Sequence, residues 1–241
     1  MTPAQSGPRR DREAARLERI YRRYAGSARK RQSWSATNRG NVAIRQELLG
    51  AVLELAEEPL KRGGEILDVG CGSGRLLAEF AARGVEQGHL HGVDLIESRL
   101  AAARMRVPDA EIRFADARSL PFEDGRFELV TLLTTLSSMQ GEDSIGEALG
   151  EVSRVVSATG IVLCYEPRIS NPLNQETVTV SSRALSTALG PAVDSRTLTG
   201  FPPLARRLGP LTSRLYPILA RLAPTHRITV HESGGARRPR G

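Results

Sequence analysis

Ile66-Leu67-Asp68-Val69-Gly70-Cys71-Gly72-Ser73-Gly74 is the stretch that decides the architecture of this 241-residue chain. An apolar run, Ile66 to Val69, enters three glycines at alternate positions, and a helical stretch near Gly74 to Ala82 follows directly. A short strand that ends in glycines and opens a helix is the repeating unit of a parallel α/β sheet. The glycines let the backbone turn sharply and come close to a ligand, while the free N–H groups of the following helix point into the space they leave. A nucleotide-like ligand at the carboxyl edge of the first strand is therefore expected.

Outward from this loop the same grammar continues. Strands are predicted at His89 to Val93, Glu111 to Phe114, Phe127 to Leu133 and Ile161 to Tyr165, with helices near Glu97 to Met105 and Asp143 to Val156. Upstream, residues 9–31 read as a charged helix with Leu17, Ile20, Tyr21 and Tyr24 on one stripe. A second helix, Val42 to Glu58, is expected to stop at Pro59 and Gly63-Gly64. Downstream, 176–189 suits a helix, Val193 to Phe201 a strand and Arg227 to His231 a last strand. The intervening 202–222 carries Pro202, Pro203, Pro210 and Pro217 among leucines at three- and four-residue steps, the pattern of one or two short inserted helices. The ends, with their Gly, Pro and Arg content, suit frayed tails.

The chain carries a net charge of +7, and 32 of its 34 basic residues are Arg. That ratio suits GC-rich codon usage and weakens a nucleic-acid reading. Position matters more than the total: residues 1–31 hold ten basic and three acidic side chains, and residues 196–241 nine and one. The middle of the chain is net acidic, so the positive charge belongs to the flanks. No apolar run approaches the ~20 residues that span a bilayer, and the N-terminus lacks the apolar core of a secretory signal, so a cytoplasmic location is expected. Two cysteines, Cys71 and Cys164, and four histidines build neither a disulfide scaffold nor an expected metal cage.

Spacing decides which nucleotide. A dinucleotide fingerprint needs a third glycine where Arg75 stands, and the glycines here are 70, 72 and 74. The carboxylate of Asp68, two residues before the first glycine, gives nothing to a pyrophosphate but suits an ammonium. S-adenosylmethionine has an amino group and no phosphate.

At this point the chain resembles a known family, the class I S-adenosylmethionine-dependent methyltransferases of the ubiquinone/menaquinone-biosynthesis-like kind. The matching residues are ILDVGCGSG at 66–74, GVD at 92–94, FADARSLPFEDGRFELV at 114–130 and EVSRVVSATGIVLCYEP at 151–167, four motifs in order over about residues 65–167. The resemblance implies a Rossmann-like seven-stranded, mostly parallel sheet with helices on both faces and the last strand antiparallel. It implies an N-terminal helical lid at 1–60, a cofactor-binding core at 61–167, and at 168–241 the rest of the sheet with its helical insertion 202–222.

Carried onto these positions, the resemblance gives Asp68 and the backbone of Gly70, Cys71, Gly72 and Gly74 the methionine end of the cofactor. Asp94 takes both ribose hydroxyls, as an acceptor-only carboxylate can. Leu95 flanks the adenine, Asp116 with the Ala117 backbone reads it, and Leu133 with Thr134 lies beside the sulfonium. Candidates for a base are Glu166 and His226; for acceptor contact, Tyr21, Tyr24, Trp34 and Arg168. Cys71 reads as a small filler of the loop, because nothing nearby would lower its pKa.

Methyl transfer from a sulfonium is an in-line displacement that needs alignment and exclusion of water more than it needs a base. The end of the fourth strand, TLLTTLSS, lacks the Asn/Asp-Pro-Pro-aromatic pattern of base-amino methylation, no Pro-Cys suggests cytosine chemistry, and the acidic cluster of metal-dependent catechol enzymes is missing. The expectation is metal-independent methylation of a small-molecule acceptor, a specialised metabolite, at oxygen or nitrogen, with no nucleic-acid partner. Homodimerisation stays open. A membrane-surface role for 202–222, with a lipid-linked acceptor, stands second to a helical cap that covers the sheet edge; a non-catalytic binding module stands behind both.

Overall fold

The computed structural model describes residues 6–27, 32, 35, 37–169 and 176–233. It has seven strands: β1 Ile66–Val69, β2 Leu90–Asp94, β3 Glu111–Phe114, β4 Phe127–Leu133, β5 Val156–Pro167, β6 Ala192–Gly200 and β7 Pro224–Glu232. Their order in the sheet is β3-β2-β1-β4-β5-β7-β6. β1 pairs in parallel with β2 and β4, and β2–β3 and β4–β5 are parallel as well. β7 runs against β6: Phe201 N donates to Ala223 O and the Thr225 hydroxyl to Thr199 O, so numbers fall on one strand as they rise on the other. The order reverses between β1 and β4. That switch point opens a crevice at the carboxyl ends of the strands.

The chain divides into two compact units, 55–195 with 228–241, and 1–54 with 196–227. In the first unit α3 Glu57–Arg62, α4 Arg75–Ala81, α5 Glu97–Arg106, α6 Glu142–Val155 and α7 Ser182–Leu189 accompany the strands; the second holds α1 Ser6–Gly26, α2 Arg39–Leu55, α8 Pro202–Ala205 and α9 Thr212–Leu222. The core of the first unit forms because β1 and β2 are buried on both faces, as parallel strands under helices must be. Leu67, Val69, Val130 and Leu132 of the central strands meet Leu149, Val152 and Val155, the inward stripe of α6. At the amino edge of the sheet the buried His91 contacts Glu111 Oε2 at 2.7 Å and Glu65 through its other ring nitrogen, and its ring stands edge-on to Phe122 and Phe127. His91 is therefore held between carboxylates within the sheet.

The expected second helix is two. α2 ends at Leu55, and Pro59 sits inside α3. In a first turn, proline's missing N–H is unpaired anyway, so it is tolerated rather than terminating. Gly63, at φ 69°, closes α3 in the left-handed cap that favours glycine.

In the second unit α2 and α8 touch backbone to backbone. A Cβ on Gly40 would overlap the Ala205 carbonyl and lie 2.7 Å from Arg206 N. Around this contact Asn38 Nδ2 donates to Arg206 O at 3.1 Å, and Arg206 Nε to Asn41 Oδ1 at 2.8 Å. No flexible side chain can yield there. Gly40→Ala should therefore cost about 2–3 kcal/mol in urea unfolding, while alanine at Gly50, where a Cβ meets nothing within 4 Å, should be neutral or stabilising.

Candidate active site

The site is built from the carboxyl ends of β1, β2, β3 and β4. Gly70, Gly72 and Gly74 all have positive φ, at 79°, 54° and 69°. A Cβ on Gly70 would overlap Thr135 Oγ1, and one on Gly72 the Arg99 guanidinium. The loop is thus threaded between β4 and α5 at a distance only glycine allows. Its backbone is tied to β2: Gly70 N and Cys71 N both donate to Val93 O, at 2.8 and 3.0 Å. The Cys71 side chain fills the space over Gly92, whose absent Cβ would lie 2.8 Å from the sulfur. Burial drives this thiol's pKa far up, which suits a filler and not a nucleophile.

Asp94 locks the loop. Its Oδ2 accepts from Gly72 N and its Oδ1 from Ile96 N, each at 2.9 Å. A carboxylate oxygen has two lone pairs, so one on each oxygen is left for a pair of neighbouring hydroxyls. Asp68, 4% exposed, accepts from the Thr131 hydroxyl at 2.7 Å; burial pushes its pKa up to about 6, partly offset by that bond. The first turn of α4 carries no side-chain cap, so its N–H groups remain for a ligand.

Asp116, also buried, has an unforeseen partner. Arg118 grips both its oxygens, Nε at 3.0 and 3.1 Å and Nη2 at 2.6 Å, and the Arg118 backbone N–H adds a further bond at 3.0 Å. The carboxylate thereby shapes the turn that presents the partly exposed Ala117. Leu95 and Leu133 are half-buried. Thr134 is exposed and has φ 60°, a left-handed conformation rare outside glycine. It is held there because Thr134 N donates to Tyr165 O at 2.7 Å. Strain of this kind collects at functional sites.

Glu166 does not face an open crevice. It is 4% exposed, Oε1 accepts from Leu136 N at 2.9 Å and Oε2 from Ser137 N at 3.1 Å. Burial lifts its pKa to about 7. The carboxylate fastens the turn that follows Thr134. His226 belongs to the second unit; burial, reinforced by the Arg206 charge, lowers its pKa to about 4, and Nδ1 lies 2.9 Å from the Thr225 hydroxyl. Tyr21 and Tyr24 of α1 stand edge to face, ring centroids 6.3 Å apart, and Arg168 is exposed. Trp34 lies outside the described residues.

Two arginines escaped sequence reasoning. Arg99 brings its guanidinium against Gly72, and its charge opposes the burial that raises the Asp68 pKa; the available signal was its place in the first turns of the helix after Asp94. Arg118, two residues beyond Asp116, could be read only as one more basic residue.

Glycines at positive φ between a buried strand and a helix, pinned by a carboxylate at the end of the next strand, in a sheet of this order, form the layout that the resemblance to class I S-adenosylmethionine-dependent methyltransferases implies. Residues 66–160 match the family model described as a methyltransferase domain. The chain is 32% identical over 126 residues to the ubiquinone/menaquinone biosynthesis C-methyltransferase UbiE of Burkholderia mallei, a match covering 50% of this chain and 51% of that protein. The chain thus spans about half the length of the curated relatives it matches. Among solved structures, a geranyl diphosphate C-methyltransferase from Streptomyces coelicolor is similar with a TM-score of 0.57 and 15% identity, over 76% of this chain and 77% of that one. An S-adenosylmethionine-dependent methyltransferase from Methanosarcina mazei gives 0.51 and 18%, over 70% and 92%. At these identities the likeness is one of fold.

Proposed function

We propose that the chain transfers a methyl group from S-adenosylmethionine to a small-molecule acceptor. The observation that carries this reading is Asp94, which holds the glycine loop through Gly72 while keeping an acceptor position on each oxygen for the ribose diol. When bound, the cofactor supplies an electrophilic methyl on a sulfonium. Asp68 offers the charge for its ammonium, Arg99 a cation for its carboxylate, and the Ala117 backbone a donor and acceptor for the adenine edge. Leu133 and the strained Thr134 border the reacting centre.

Glu166 acts here as a positioning residue, since both its oxygens are engaged by the turn it holds. His226, with its lowered pKa, is neutral at pH 7 and could serve only as a base. An acceptor that ionises readily needs little such help. The names of the relatives favour carbon as the methylated atom, where the residues alone suggested oxygen or nitrogen; isotope-labelled methyl followed by carbon NMR of the product tells these apart. Tyr21, Tyr24 and Arg168 keep acceptor contact as their proposed role.

Calorimetry with the cofactor and its demethylated product tests the reading, and failure of both to bind removes it. A pH series is sharper. Below about pH 6 Asp68 takes a proton and loses the charge the ammonium needs, so cofactor affinity should be flat from pH 8 to 7 and weaken from 6 to 5. The two carboxyls contribute to fold stability in the other direction. The folded-state pKa values of Asp68 and Glu166 lie above their ordinary 3.8 and 4.5, so these groups add stability as pH falls from 7 toward 4.5, while His226, lowered from 6.5 to about 4, removes it over the same window. Melting temperatures of the wild type and a Glu166→Gln variant across the same buffers isolate the carboxyl contribution and check its sign.

A further inference from the structure

Much of the apolar stripe of 202–222 faces solvent. Phe201, Leu204, Leu211, Leu215, Ile218 and Leu222 are 39–80% exposed, whereas Thr212 and Tyr216 are the residues of α9 that turn inward. Tyr216 donates to Glu47 Oε2 at 2.6 Å, which fixes the rotation of the helix and commits the opposite face to solvent. At about 100° per residue, Leu215, Ile218 and Leu222 fall within an arc of roughly 60°, with Arg214 and Arg221 beside one edge of it.

Three arginines accompany this face, and Arg207, Arg214 and Arg221 are all exposed with no ion pair among the described residues. From Ser195 to His231 the chain contains no Asp or Glu. An apolar arc flanked by unpaired cations, on an 11-residue helix, is the geometry of a segment lying in a lipid interface. It is too short to span: no helix among the described residues is long and apolar enough to cross a membrane. A two-fold contact with a second copy would set the arginine row against itself.

We propose that residues 201–222 dock the protein on an anionic lipid surface, with the apolar arc in the acyl boundary and Arg207, Arg214 and Arg221 among the headgroups. The docking does not rest on the methyltransferase reading. Each arginine near such a surface contributes about 1 kcal/mol, so the three together are worth on the order of a hundredfold in partitioning.

Co-sedimentation of the full chain with phosphatidylcholine vesicles, with and without phosphatidylglycerol, tests it. The expected result is binding to the anionic vesicles at low salt, loss on raising the salt, and at least a tenfold weakening in Leu215→Glu/Ile218→Glu and in Arg207→Gln/Arg214→Gln. These side chains are exposed, so both variants should melt with the wild type. Absence of binding to anionic vesicles, equal binding to neutral ones, or indifference to both variants overturns the proposal. So does a lipid-free dimer in ultracentrifugation that Leu215→Glu/Ile218→Glu dissolves, which would assign the face to a second copy.

Discussion

Asp94→Ala removes measurable cofactor binding: titration calorimetry is expected to show an affinity lower by about a thousandfold. Two losses combine. The ribose diol loses two charge-assisted hydrogen bonds, each worth about 1.5–3 kcal/mol, or roughly two to four powers of ten together. The glycine loop also loses the acceptor that orients Gly72 N and Ile96 N, so the backbone that faces the methionine end is no longer pre-set. Both N–H groups are buried, so Asp94→Ala also costs stability, and urea unfolding of the same variant separates that cost from the loss of binding. Asp94→Asn should fall between, since its amide oxygen satisfies one N–H while its NH2 opposes the other. Wild-type affinity in Asp94→Ala would sink the assignment of this carboxylate.

Glu166→Ala should be the most destabilising change at the site, by about 2–5 kcal/mol in urea unfolding. It strands the buried N–H groups of Leu136 and Ser137 and leaves a cavity at the end of β5. Glu166→Gln keeps one acceptor and about the same volume, so most of the stability should return. The pair also separates positioning from base catalysis. If Glu166 removed a proton from the acceptor, Glu166→Gln would lose turnover at every pH with its stability nearly intact. For a residue that holds the turn after Thr134, Glu166→Gln retains most of its turnover, and the loss in Glu166→Ala follows its loosened fold.

Strands β1, β3 and β4 occur at the residues expected of them, and α4, α5 and α6 within a residue or two. Apolar runs buried on both faces, punctuated by glycine and followed by helical periodicity, leave little freedom. β5 is longer than its apolar run, from Val156 to Pro167, because Phe127 of β4 pairs with Val156 across a register irregularity that no local pattern encodes. The split of the second helix depends on Ala56 and Pro59, where a turn and a first helical turn read alike.

Asp68 could be named as a site residue from its spacing, and Asp94 and Asp116 from the family resemblance, yet what engages each of them could not. Thr131 is 63 positions from Asp68, and Gly72 is 22 from Asp94. For the same reason Glu166 could be placed at a strand end but not turned: whether a strand-end carboxylate opens on a crevice or binds a neighbouring turn depends on the β4–β5 register.

From sequence alone came the α/β class, the carboxyl edge of β1 as the ligand-binding edge, and the kind of cofactor, because these rest on local covalent facts: where Cβ atoms are missing, where carboxylates stand, and how apolar residues recur. Tertiary structure decided which acidic groups are occupied by protein partners, that Arg99 and Arg118 stand beside the glycine loop and Asp116, and that Leu215, Ile218 and Leu222 of α9 face solvent. A helix's pattern shows that it has an apolar stripe; the contact on its other side, here Tyr216 to Glu47, decides which way that stripe points.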